Sequence, residues 1–413
     1  MSEWKKYKVE ELCRRIISGG TPSTTKKEFY GGDIPWLKTQ EVKFNRIYDT
    51  ETKITKLGYE SSSAKMIEPN SIIVAMYGAT AAKLAINKIE LSTNQACCNL
   101  TVDEKKANYY FLYYYLLNEY SNLVKLTNGG AQQNLNSGVI RNYEVLAPDL
   151  KTQNRIASIL SSIDNSIELN QQTNKTLEEI PKIIFKEWFV NFNFQNSKSK
   201  MQSTEIGEIP VDWKVETFEN VFDADRGLSY KGAGLAESDA MPMHNLNSVL
   251  EGGGYKTYGI KYYNGDYKDK HIVKTGELIV ANTEQGHKYL LIGYPAIIPS
   301  FYGEQGIFSH HIYRLRPKKN CYLTSDFIFH LLLQPQLRDQ VVGFANGTTV
   351  NMLKMEGLQK PKFAMPPKQL AEKFIAIAKA NRLQIEQNIE ENKTLSSLRD
   401  LLLPKLMKGE INV

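Results

Sequence analysis

Residues 151–186 read KTQNRIASILSSIDNSIELNQQTNKTLEEIPKIIFK, and a related stretch follows 218 residues later. The tetrapeptide NKTL occurs at 174–177 and at 392–395, which gives the offset as 392 − 174 = 218. The same offset maps Leu135 onto Leu353. A gapless correspondence over this length indicates that the chain contains an internal duplication.

Both copies predict a long helix with a narrow apolar stripe. Apolar residues recur in steps of three and four, which is typical of a helix that packs on one partner helix. We therefore expect the two helices to pair, with polar stripe residues that fix the register at some cost in stability. The alternative is two separate amphipathic helices, each covering its own domain. The stripe consists of Ile156, Ile159, Leu160, Ile163, Ile167, Leu177 and Ile184, then Phe374, Ile377, Ala378, Ile385, Leu395 and Leu402, and its polar members are Asn170, Asn174, Asn388 and Asn392.

Pro181 distinguishes the first copy, because the second copy has Arg399 at the corresponding position. A proline inside a helix removes a backbone donor and disturbs the preceding turn. We therefore expect the first helix to kink or end there, with regular pairing only as far as about Glu179.

The chain has 413 residues, which suits two to three domains, and the repeat favours two. Its net charge of +6, from 51 Lys and Arg against 45 Asp and Glu, permits polyanion binding without requiring it. The cysteines form no C-x-x-C pair and the histidines show no metal-binding spacing, so we expect no metal site. An N-terminus without an apolar core and the absence of a long apolar run predict a cytoplasmic protein with free thiols.

The segment before each helix mixes short β-rich runs with polar turns and one helix. In the first half the predicted strands lie at 34–37, 71–76, 85–86 and 96–102, with a tyrosine-rich helix at 107–124. The second half repeats this plan with different loops. The fold class is therefore α+β, with two α/β domains alternating with two long helices. The predicted boundaries are 1–150, 151–195, 196–365 with a linker at 196–206, and 366–413.

Loops rich in Lys, Thr, Asn, Gln and Gly join these elements. Such side chains reach phosphates and base edges, although the same composition is typical of solvated turns. The Asn-Gly loop of each half is either a ligand-binding loop or a glycine turn that ends a helix. The candidate DNA-binding residues are Lys38, Thr39, Arg46, Tyr77, Lys83, Asn94, Gln95, Gln132 and Gln133 in the first half, and Asn282, Thr283, Gln285, His287, Lys288, His310, His311, Asn346, Thr348 and Thr349 in the second.

Motifs of catalysis are missing from the sequence. It contains no G-x-x-x-x-G-K-[ST], no G-x-G-x-x-G after a strand and no Asn-Pro-Pro-aromatic tetrapeptide. No Ser, Cys or Asp motif stands in a fixed relation to His310 and His311. These absences favour a reader over an enzyme such as a fused nuclease or methyltransferase. A coiled-coil scaffold with two modules that bind protein or glycan is the other alternative.

The order of the motifs resembles that of the specificity subunit of a type I restriction-modification system, over essentially the whole chain. Individually the motifs are weak, but their duplication at a constant offset is specific. They are YGGDIPWLKTQEV at 30–42, SIIVAMYGATAAKLAI at 71–86, STNQ at 92–95, NGGAQQNL at 128–135, FKEWFVNF at 185–192, GEIPVDWKV at 207–215, NGTTVNML at 346–353 and LLLPKLMKGEI at 401–411.

This resemblance implies that each α/β domain is a target-recognition domain that reads one half of a split DNA site. The two helices would pair as an antiparallel coiled coil with pseudo-two-fold symmetry, set the gap between half-sites and dock two methyltransferase subunits. Two ATP-driven nuclease-translocase subunits would join for restriction. No cofactor is expected on this chain: S-adenosylmethionine belongs to the methyltransferase subunits, and ATP and Mg to the restriction subunits. A helix of about 28 residues is roughly 40 Å long, or about a dozen base pairs of duplex, so we expect the spacer to act as a ruler.

Overall fold

A computed structural model describes residues 4–126, 135–194, 200–286, 288–347 and 350–413. The chain divides into two compact units. The first comprises residues up to 168 together with 392–413, and the second comprises 169–391. Each unit therefore contains one α/β domain with a part of both long helices.

The first unit contains short strands in three sheets. The strands are β1 (Lys5–Lys8), β2 (Cys13–Ser18), β3 (Tyr30–Leu37), β4 (Asn45–Ile47), β5 (Lys53–Ile54), β6 (Met66–Ile67), β7 (Ile72–Ala75), β8 (Leu84–Asn87), β9 (Leu91–Thr93), β10 (Cys97–Val102) and β11 (Glu144–Ala147). They form a five-stranded sheet in the order β2-β10-β7-β8-β4, a four-stranded sheet in the order β5-β3-β9-β6, and the pair β1-β11. The strands predicted from the sequence correspond to β3, β7, β8 and β10.

Short helices cover this domain before the first long helix begins. They are α1 (Val9–Leu12), α2 (Lys56–Glu60), α3 (Tyr109–Asn118), α4 (Tyr120–Lys125) and α5 (Ser137–Arg141), followed by the long helix α6 (Leu150–Phe185) and one π-helical turn at Lys186–Val190. The predicted helix at 107–124 is thus two helices that meet at Glu119. Asn108 caps α3, since its side chain accepts hydrogen bonds from the amides of Tyr110 and Phe111 at 2.8 and 3.2 Å.

The second unit repeats this construction with longer excursions. Its strands are β12 (Met201–Thr204), β13 (Gly207–Pro210), β14 (Lys214–Thr217), β15 (Phe222–Arg226), β16 (Leu235–Ala236), β17 (Met241–His244), β18 (Lys261–Tyr263), β19 (Ile272–Lys274), β20 (Leu278–Ala281), β21 (Thr283–Gln285), β22 (Pro295–Ile297), β23 (Gln305–Phe308), β24 (Ile312–Pro317), β25 (Ala345–Asn346), β26 (Val350–Leu353) and β27 (Lys362–Met365). The sheets have the orders β15-β24-β20-β22, β16-β18-β17-β23-β19 and β21-β26-β25, with the pairs β12-β13 and β14-β27.

The helices of the second unit are α7 (Phe218–Val221), α8 (Ser325–Leu332), α9 (Pro335–Val342) and the long α10 (Lys368–Met407), whose final turns belong to the first unit. Helices α8 and α9 are separate because Pro335 disfavours a helical conformation for Gln334 and begins the next helix. In the part of the chain that the structure describes, no helix is long and apolar enough to cross a membrane.

Strand register confirms the internal repeat. In the first domain β1 pairs with β11 so that Lys5 lies opposite Ala147. In the second, β14 pairs with β27 so that Lys214 lies opposite Met365, and 365 − 147 again equals 218. The sheet order β2-β10-β7-β8 recurs as β15-β24-β20-β22. The predicted α+β class with a duplicated domain is therefore correct.

Within the first unit, the start of α6 packs on the end of α10. Ile156 and Leu160 share one core cluster with Leu403 and Leu406, and this cluster also contains apolar residues of α3. An ion pair joins the same helices, with Arg399 Nη1 2.9 Å from Asp164 Oδ1. Because the beginning of one helix meets the end of the other, the two run antiparallel here.

Within the second unit, the end of α6 packs on the start of α10. The rings of Phe185 and Phe374 lie 5.2 Å apart in the second core. Farther along, the Asn388 side chain donates to the Asn174 side-chain oxygen at 2.7 Å. The helices are antiparallel in this unit too, so the paired arrangement is observed rather than two unpaired amphipathic helices.

Pro181 does not end α6, contrary to the sequence-based expectation. The helix continues through this buried proline to Phe185. Proline leaves the carbonyl of the residue four positions earlier without its usual donor, and here that residue is Leu177. The side chain of Asn381, on α10, donates to the Leu177 carbonyl at 3.1 Å. The partner helix therefore supplies the missing hydrogen bond.

We predict that Asn381→Ala destabilises the protein by about 1 kcal/mol, because the Leu177 carbonyl loses its donor. In a Pro181→Ala background the restored backbone amide can bond to this carbonyl, so the same substitution should have a smaller effect. Thermal unfolding of the wild type, both single variants and the double variant measures the difference. An equal loss in the two backgrounds would contradict the explanation.

Candidate nucleic-acid interface

Two parallel strands bring the first group of candidate residues together. Strand β3 runs parallel to β9, with Trp36 opposite Ser92 and Leu37 opposite Thr93. The Asn94 amide then donates to the Leu37 carbonyl at 3.0 Å. Since parallel strands end at the same edge of a sheet, the residues that follow them leave the sheet side by side. Those residues are Lys38 and Thr39 after β3, and Asn94 and Gln95 after β9.

A glycine pair adds a third segment at this point. The Gly20 amide donates to the Thr93 carbonyl at 2.9 Å. A Cβ atom on Gly19 would overlap the same carbonyl oxygen, so this close approach requires glycine. The side-chain hydroxyl of Thr21 then hydrogen-bonds to the Gln95 side chain.

The loop after β7 joins the same place. The Met76 amide donates to the Ala96 carbonyl at 2.8 Å. Because these residues continue the antiparallel pair β7-β10, the next residue, Tyr77, comes beside Gln95. Tyr77 is 41% exposed, and Lys83, half-buried, closes the loop at the start of β8. The Leu135 amide also donates to the Met76 carbonyl, at 2.7 Å, so Leu135, the last residue of the NGGAQQNL motif, joins the fold here. We call Lys38, Tyr77, Asn94 and Gln95 the first-domain edge.

The second domain builds the same junction from different side chains. His244 of β17 lies opposite Phe308 of the parallel strand β23, and the Ser309 amide donates to the His244 carbonyl at 2.9 Å. The Leu228 amide donates to the Phe308 carbonyl at 2.7 Å, and a Cβ atom on Gly227 would overlap the Ser309 oxygen. These bonds repeat those made by Leu37, Thr93 and Asn94 with Gly19 and Gly20.

The loops that surround this second junction also correspond to those of the first. The Asn282 amide donates to the His311 carbonyl at 3.1 Å, and the Leu353 amide donates to the Asn282 carbonyl at 2.7 Å. Leu353 is the repeat partner of Leu135, which made the equivalent bond. In the second NGTTVNML motif the described residues form strands β25 and β26, which pair as an antiparallel hairpin, and β26 also pairs with β21 so that Gln285 lies opposite Val350. In this domain, therefore, the loop is not simply a glycine turn at the end of a helix.

Basic and aromatic side chains gather beside this second junction. The rings of His310 and His311 are 3.9 Å apart, and Tyr230 lies 6.4 Å from His310. Lys261 Nζ donates to the Tyr230 hydroxyl at 3.1 Å. Arg226 is exposed and reaches Met352 of the hairpin, with 3.9 Å between Nη2 and Sδ. We call Arg226, Tyr230, Lys261, His310 and His311 the second-domain edge.

Burial and neighbouring positive charges both favour the neutral form of His311. Burial lowers the pKa of His311, and His310, Arg226 and Lys261 lower it further because they repel a second positive charge. His311 Nδ1 lies 3.1 Å from the Thr283 hydroxyl. The Nδ1 atom of His310 is buried and has no hydrogen-bond partner among the described residues. A neutral imidazole offers both a donor and an acceptor, which suits hydrogen bonding to a polar ligand.

Several residues of this second-domain edge were missed by sequence reasoning. Arg226, Tyr230 and Lys261 were not among the predicted contacts. The available signal was Gly227, which follows β15 as Gly19 follows β2. Alignment of these glycines would have marked the segment around Arg226 and Tyr230 as the counterpart of residues 18–22.

Four of the predicted DNA contacts are structural residues in this fold. Thr39, Asn282 and Thr283 are buried, and the Asn282 side chain donates to the His310 carbonyl at 2.9 Å. Arg46 faces α6, where it donates to Glu168 at 2.9 Å and lies 5.2 Å from the Tyr110 ring. These side chains shape the loops or hold the helix, because burial and existing partners leave them unable to reach a DNA surface.

The other predicted residues divide by position. Gln285, Lys288 and Asn346 are exposed on the second domain. Of the four stripe asparagines, Asn174 and Asn388 bond to each other, Asn170 donates to Glu391 at 3.0 Å, and Asn392 is half-buried. Their role in register stays a prediction. Gln132, Gln133, His287, Thr348 and Thr349 lie outside the described residues.

No catalytic or metal centre accompanies these edges within the residues that the structure describes. No group of three His, Cys, Asp or Glu side chains there is close enough to hold a metal ion. The thiols of Cys13, Cys97 and Cys98 are buried, and burial raises their pKa values, to about 12 for Cys13 and Cys98. Such thiols are poor nucleophiles.

Two similar domains, each with polar, aromatic and basic side chains at a strand-end junction, define a protein with two binding sites for polar ligands. The family model of the type I restriction modification DNA specificity domain matches residues 1–179 and again 210–391. The chain therefore belongs to this family, and the resemblance inferred from its motifs is confirmed.

Relatives of this chain carry the same description. The specificity subunit of the type I restriction enzyme MjaIX from Methanocaldococcus jannaschii is 26% identical, with 100% of this chain and 94% of the relative aligned. That of HindI from Haemophilus influenzae is 23% identical, with both chains fully covered. The crystal structure of the type I S subunit from M. genitalium has a TM-score of 0.64 at 16% identity, covers 98% of this chain and 96% of its own, and shares this fold.

We predict that Gly227→Ala disrupts the second-domain edge, because its Cβ atom would overlap the Ser309 carbonyl. Overpacking of this kind lowers stability by about 1–3 kcal/mol. Gly232→Ala is the matched control, since open space surrounds that position. Thermal unfolding and the NMR shifts of the His310 and His311 rings measure the effect, and equal behaviour of the two variants would contradict it.

Proposed function

We propose that this chain is the sequence-specific DNA-recognition subunit of a type I restriction-modification complex and that each domain reads one half of a bipartite site. The observation that carries the proposal is the strand-end junction, which is built twice from the same backbone hydrogen bonds but with different side chains. Two domains that share one backbone construction but carry different side chains suit the recognition of two different half-sites. The chain itself is non-catalytic, as its family membership indicates.

The side chains at and near the two edges suit both kinds of DNA contact. Asn94, Gln95 and Gln285 carry amides, which form paired hydrogen bonds with base edges. Lys38, Arg226 and Lys261 carry positive charge, which positions a protein on phosphates without specifying sequence. Hydrogen bonds among the loops hold these groups in place, so their orientation is set before DNA arrives.

The Asn-Gly loops keep the role proposed from the sequence. The last residue of each motif is joined to its domain by the same backbone hydrogen bond, from Leu135 to Met76 and from Leu353 to Asn282. The hairpin of the second loop carries exposed Asn346 and Val350 beside Gln285. A two-stranded ribbon of this kind fits the major groove of DNA.

We predict that Arg226→Ala and Lys261→Ala each weaken DNA binding by the assembled complex on all sequences. Loss of one phosphate contact should reduce the slope of log affinity against log salt by about one. Lys319→Ala is the control, because this exposed lysine follows the far end of β24 from His311. Fluorescence titrations at several salt concentrations give the slopes. Identical slopes for the three variants would exclude Arg226 and Lys261 from the interface.

We further propose that two methyltransferase subunits dock on the long helices. The second unit exposes Ile180 and Ile183 on α6, at 38% and 61%, and the first unit exposes Leu398 and Leu401 on α10, at 43% and 57%. The two pairs are related by the repeat, since 398 − 180 and 401 − 183 both equal 218. Two equal apolar patches suit two copies of one partner.

A hollow adjoins each patch. In the second unit, Pro181 and Lys182 line a cavity of about 210 Å³. In the first unit, their repeat partners Arg399 and Asp400 line a cavity of about 390 Å³. An apolar side chain of a bound helix could fill such a cavity, and this gives each patch a depth that isolated exposed residues lack.

We predict that Ile183→Glu and Leu401→Glu each remove one methyltransferase subunit and that the double variant binds none. A buried, unpaired carboxylate at an apolar contact strongly opposes association. Leu57→Glu is the control, because Leu57 is similarly exposed, at 54%, on α2. Native mass spectrometry counts the bound subunits. Two subunits on the double variant would place the docking surface elsewhere.

The remaining members of the complex complete the proposal. Two restriction subunits would bind to the assembly with methyltransferases, and they would carry ATP and Mg, while S-adenosylmethionine would be held by the methyltransferases. The helices would act as the ruler between half-sites. The polar groups at the two edges are amides, imidazoles and cations, and this composition supports ligand binding by the chain rather than catalysis.

A further inference from the structure

One glutamate occupies the same position of the repeat on both long helices. Glu168 lies on α6 and Glu386 on α10, and 386 − 168 equals 218. Neither glutamate belongs to the apolar stripe through which the helices pair. Each instead points to the α/β domain of its own unit, and their contacts are described in turn.

In the first unit, Glu168 holds an edge strand of the five-stranded sheet. Its Oε2 atom accepts from Arg46 Nη1 at 2.9 Å and from the Tyr48 hydroxyl at 3.0 Å. Arg46 belongs to β4 and also donates to the Asn165 side chain and the Ser161 carbonyl on α6. Three residues of the helix therefore accept hydrogen bonds from one guanidinium group of the domain.

In the second unit, Glu386 holds the loop that follows the edge strand β22. Its Oε2 atom accepts from the Ser300 amide at 3.0 Å and from the Ser300 hydroxyl at 2.6 Å. Its Oε1 atom accepts from Arg382 Nη1 at 2.7 Å, and Arg382 Nε donates to Asp326 of α8 at 2.7 Å. The helix is thus joined to the domain at Ser300 through Glu386 and at Asp326 through Arg382, which Glu386 contacts.

The burial of both carboxylates argues for a purpose other than stability. The Glu168 side chain is 24% exposed and that of Glu386 is 7% exposed. Removing a charge from water is unfavourable, and an apolar residue often stabilises such a place as well or better. Directional hydrogen bonds, however, fix orientation, which an apolar contact does less strictly. The two glutamates kept this position although their partners diverged into arginine and tyrosine in one unit and serine in the other.

We propose that Glu168 and Glu386 are positioning residues that fix the angle of each recognition domain on its helix and thereby determine how strictly the complex selects the gap between half-sites. This inference rests on the proposed function, because a gap has meaning only for a bipartite site. The residues touch no DNA themselves. They act by limiting how far a reading edge can swing relative to the spacer.

The first experiment measures orientation without DNA. Pairs of spin labels are attached through Glu60→Cys with Ser158→Cys in the first unit and Lys319→Cys with Lys379→Cys in the second, all at exposed positions, with Cys321→Ser to avoid labelling there. Glu168→Ala should broaden the distance distribution of the first pair, and Glu386→Ala that of the second. Glu179→Ala and Glu372→Ala, which remove only surface ion pairs of the same helices, should leave the widths unchanged. Unchanged widths in the glutamate variants would overturn the positioning role.

The second experiment measures gap selection by the complex assembled with its methyltransferase subunits. The substrate is a DNA library in which both half-sites are constant and the gap varies by single base pairs. In each variant, methylation at the wild-type gap relative to its neighbours should fall roughly tenfold, the factor expected for loss of one charge-assisted hydrogen bond. Glu386→Gln, which keeps one acceptor for Ser300, should recover part of this selectivity.

The two experiments separate the inference from the function on which it rests. A broadened distribution with unchanged gap selectivity would overturn the link between domain angle and gap. If the unmodified complex methylates without any bipartite preference, the proposed function fails, whatever the spin labels report. Reduced gap selectivity with both half-site sequences retained supports the inference, since a structural collapse would also lose the half-sites.

Discussion

Antiparallel packing of α6 and α10 is the constraint on which the rest of the structure depends. Ile156 and Leu160 complete the first core only with Leu403 and Leu406, which lie more than 200 residues later in the chain. Phe185 and Phe189 complete the second core with Phe374 in the same way. Burial of such side chains contributes about 1.5–3 kcal/mol each. Each domain is therefore stable only while both helices are in place, and the helices in turn rest on the domains.

At each reading edge, backbone groups hold the structure together and side chains are left to contact the ligand. Backbone amide and carbonyl groups at the strand ends build the junction. A glycine stands beside them, because any side chain at that position would overlap the junction. The side chains of the same residues are left to differ: Lys38 and Gln95 in one domain have neighbours in the positions that Asn245 and His310 take in the other. A protein whose junctions are built mainly from backbone hydrogen bonds can change its target without changing its fold. This property suits a subunit that determines specificity.

The sequence was sufficient for the repeat, the fold class and the long helices, because periodicity and a constant offset are properties that tertiary contacts do not alter. It failed at places where a partner distant in sequence decides the outcome. Pro181 breaks no helix because Asn381 of another element replaces its donor. Arg46 looks like a loop cation until Glu168 is seen beside it. Asn282 has the composition of a recognition loop, yet its amide serves the His310 carbonyl. Arg226 was missed because the correspondence between Gly227 and Gly19 is visible in the sequence only if these glycines are aligned, whereas the bond from Leu228 to Phe308 shows directly that the segment joins the edge.

The division of the chain into units has a consequence for its synthesis. The second unit is one continuous segment, 169–391, whereas the first requires residues 392–413 to complete its core. Domains generally fold in the order in which the ribosome makes them. Here the order is reversed, since the part made first waits for the part made last. Until Leu403 and Leu406 emerge, the first domain exposes the apolar face that they will cover. A chaperone would therefore meet this protein chiefly through its N-terminal half, and truncation within α10 should cause aggregation of a domain that lies entirely upstream of the cut.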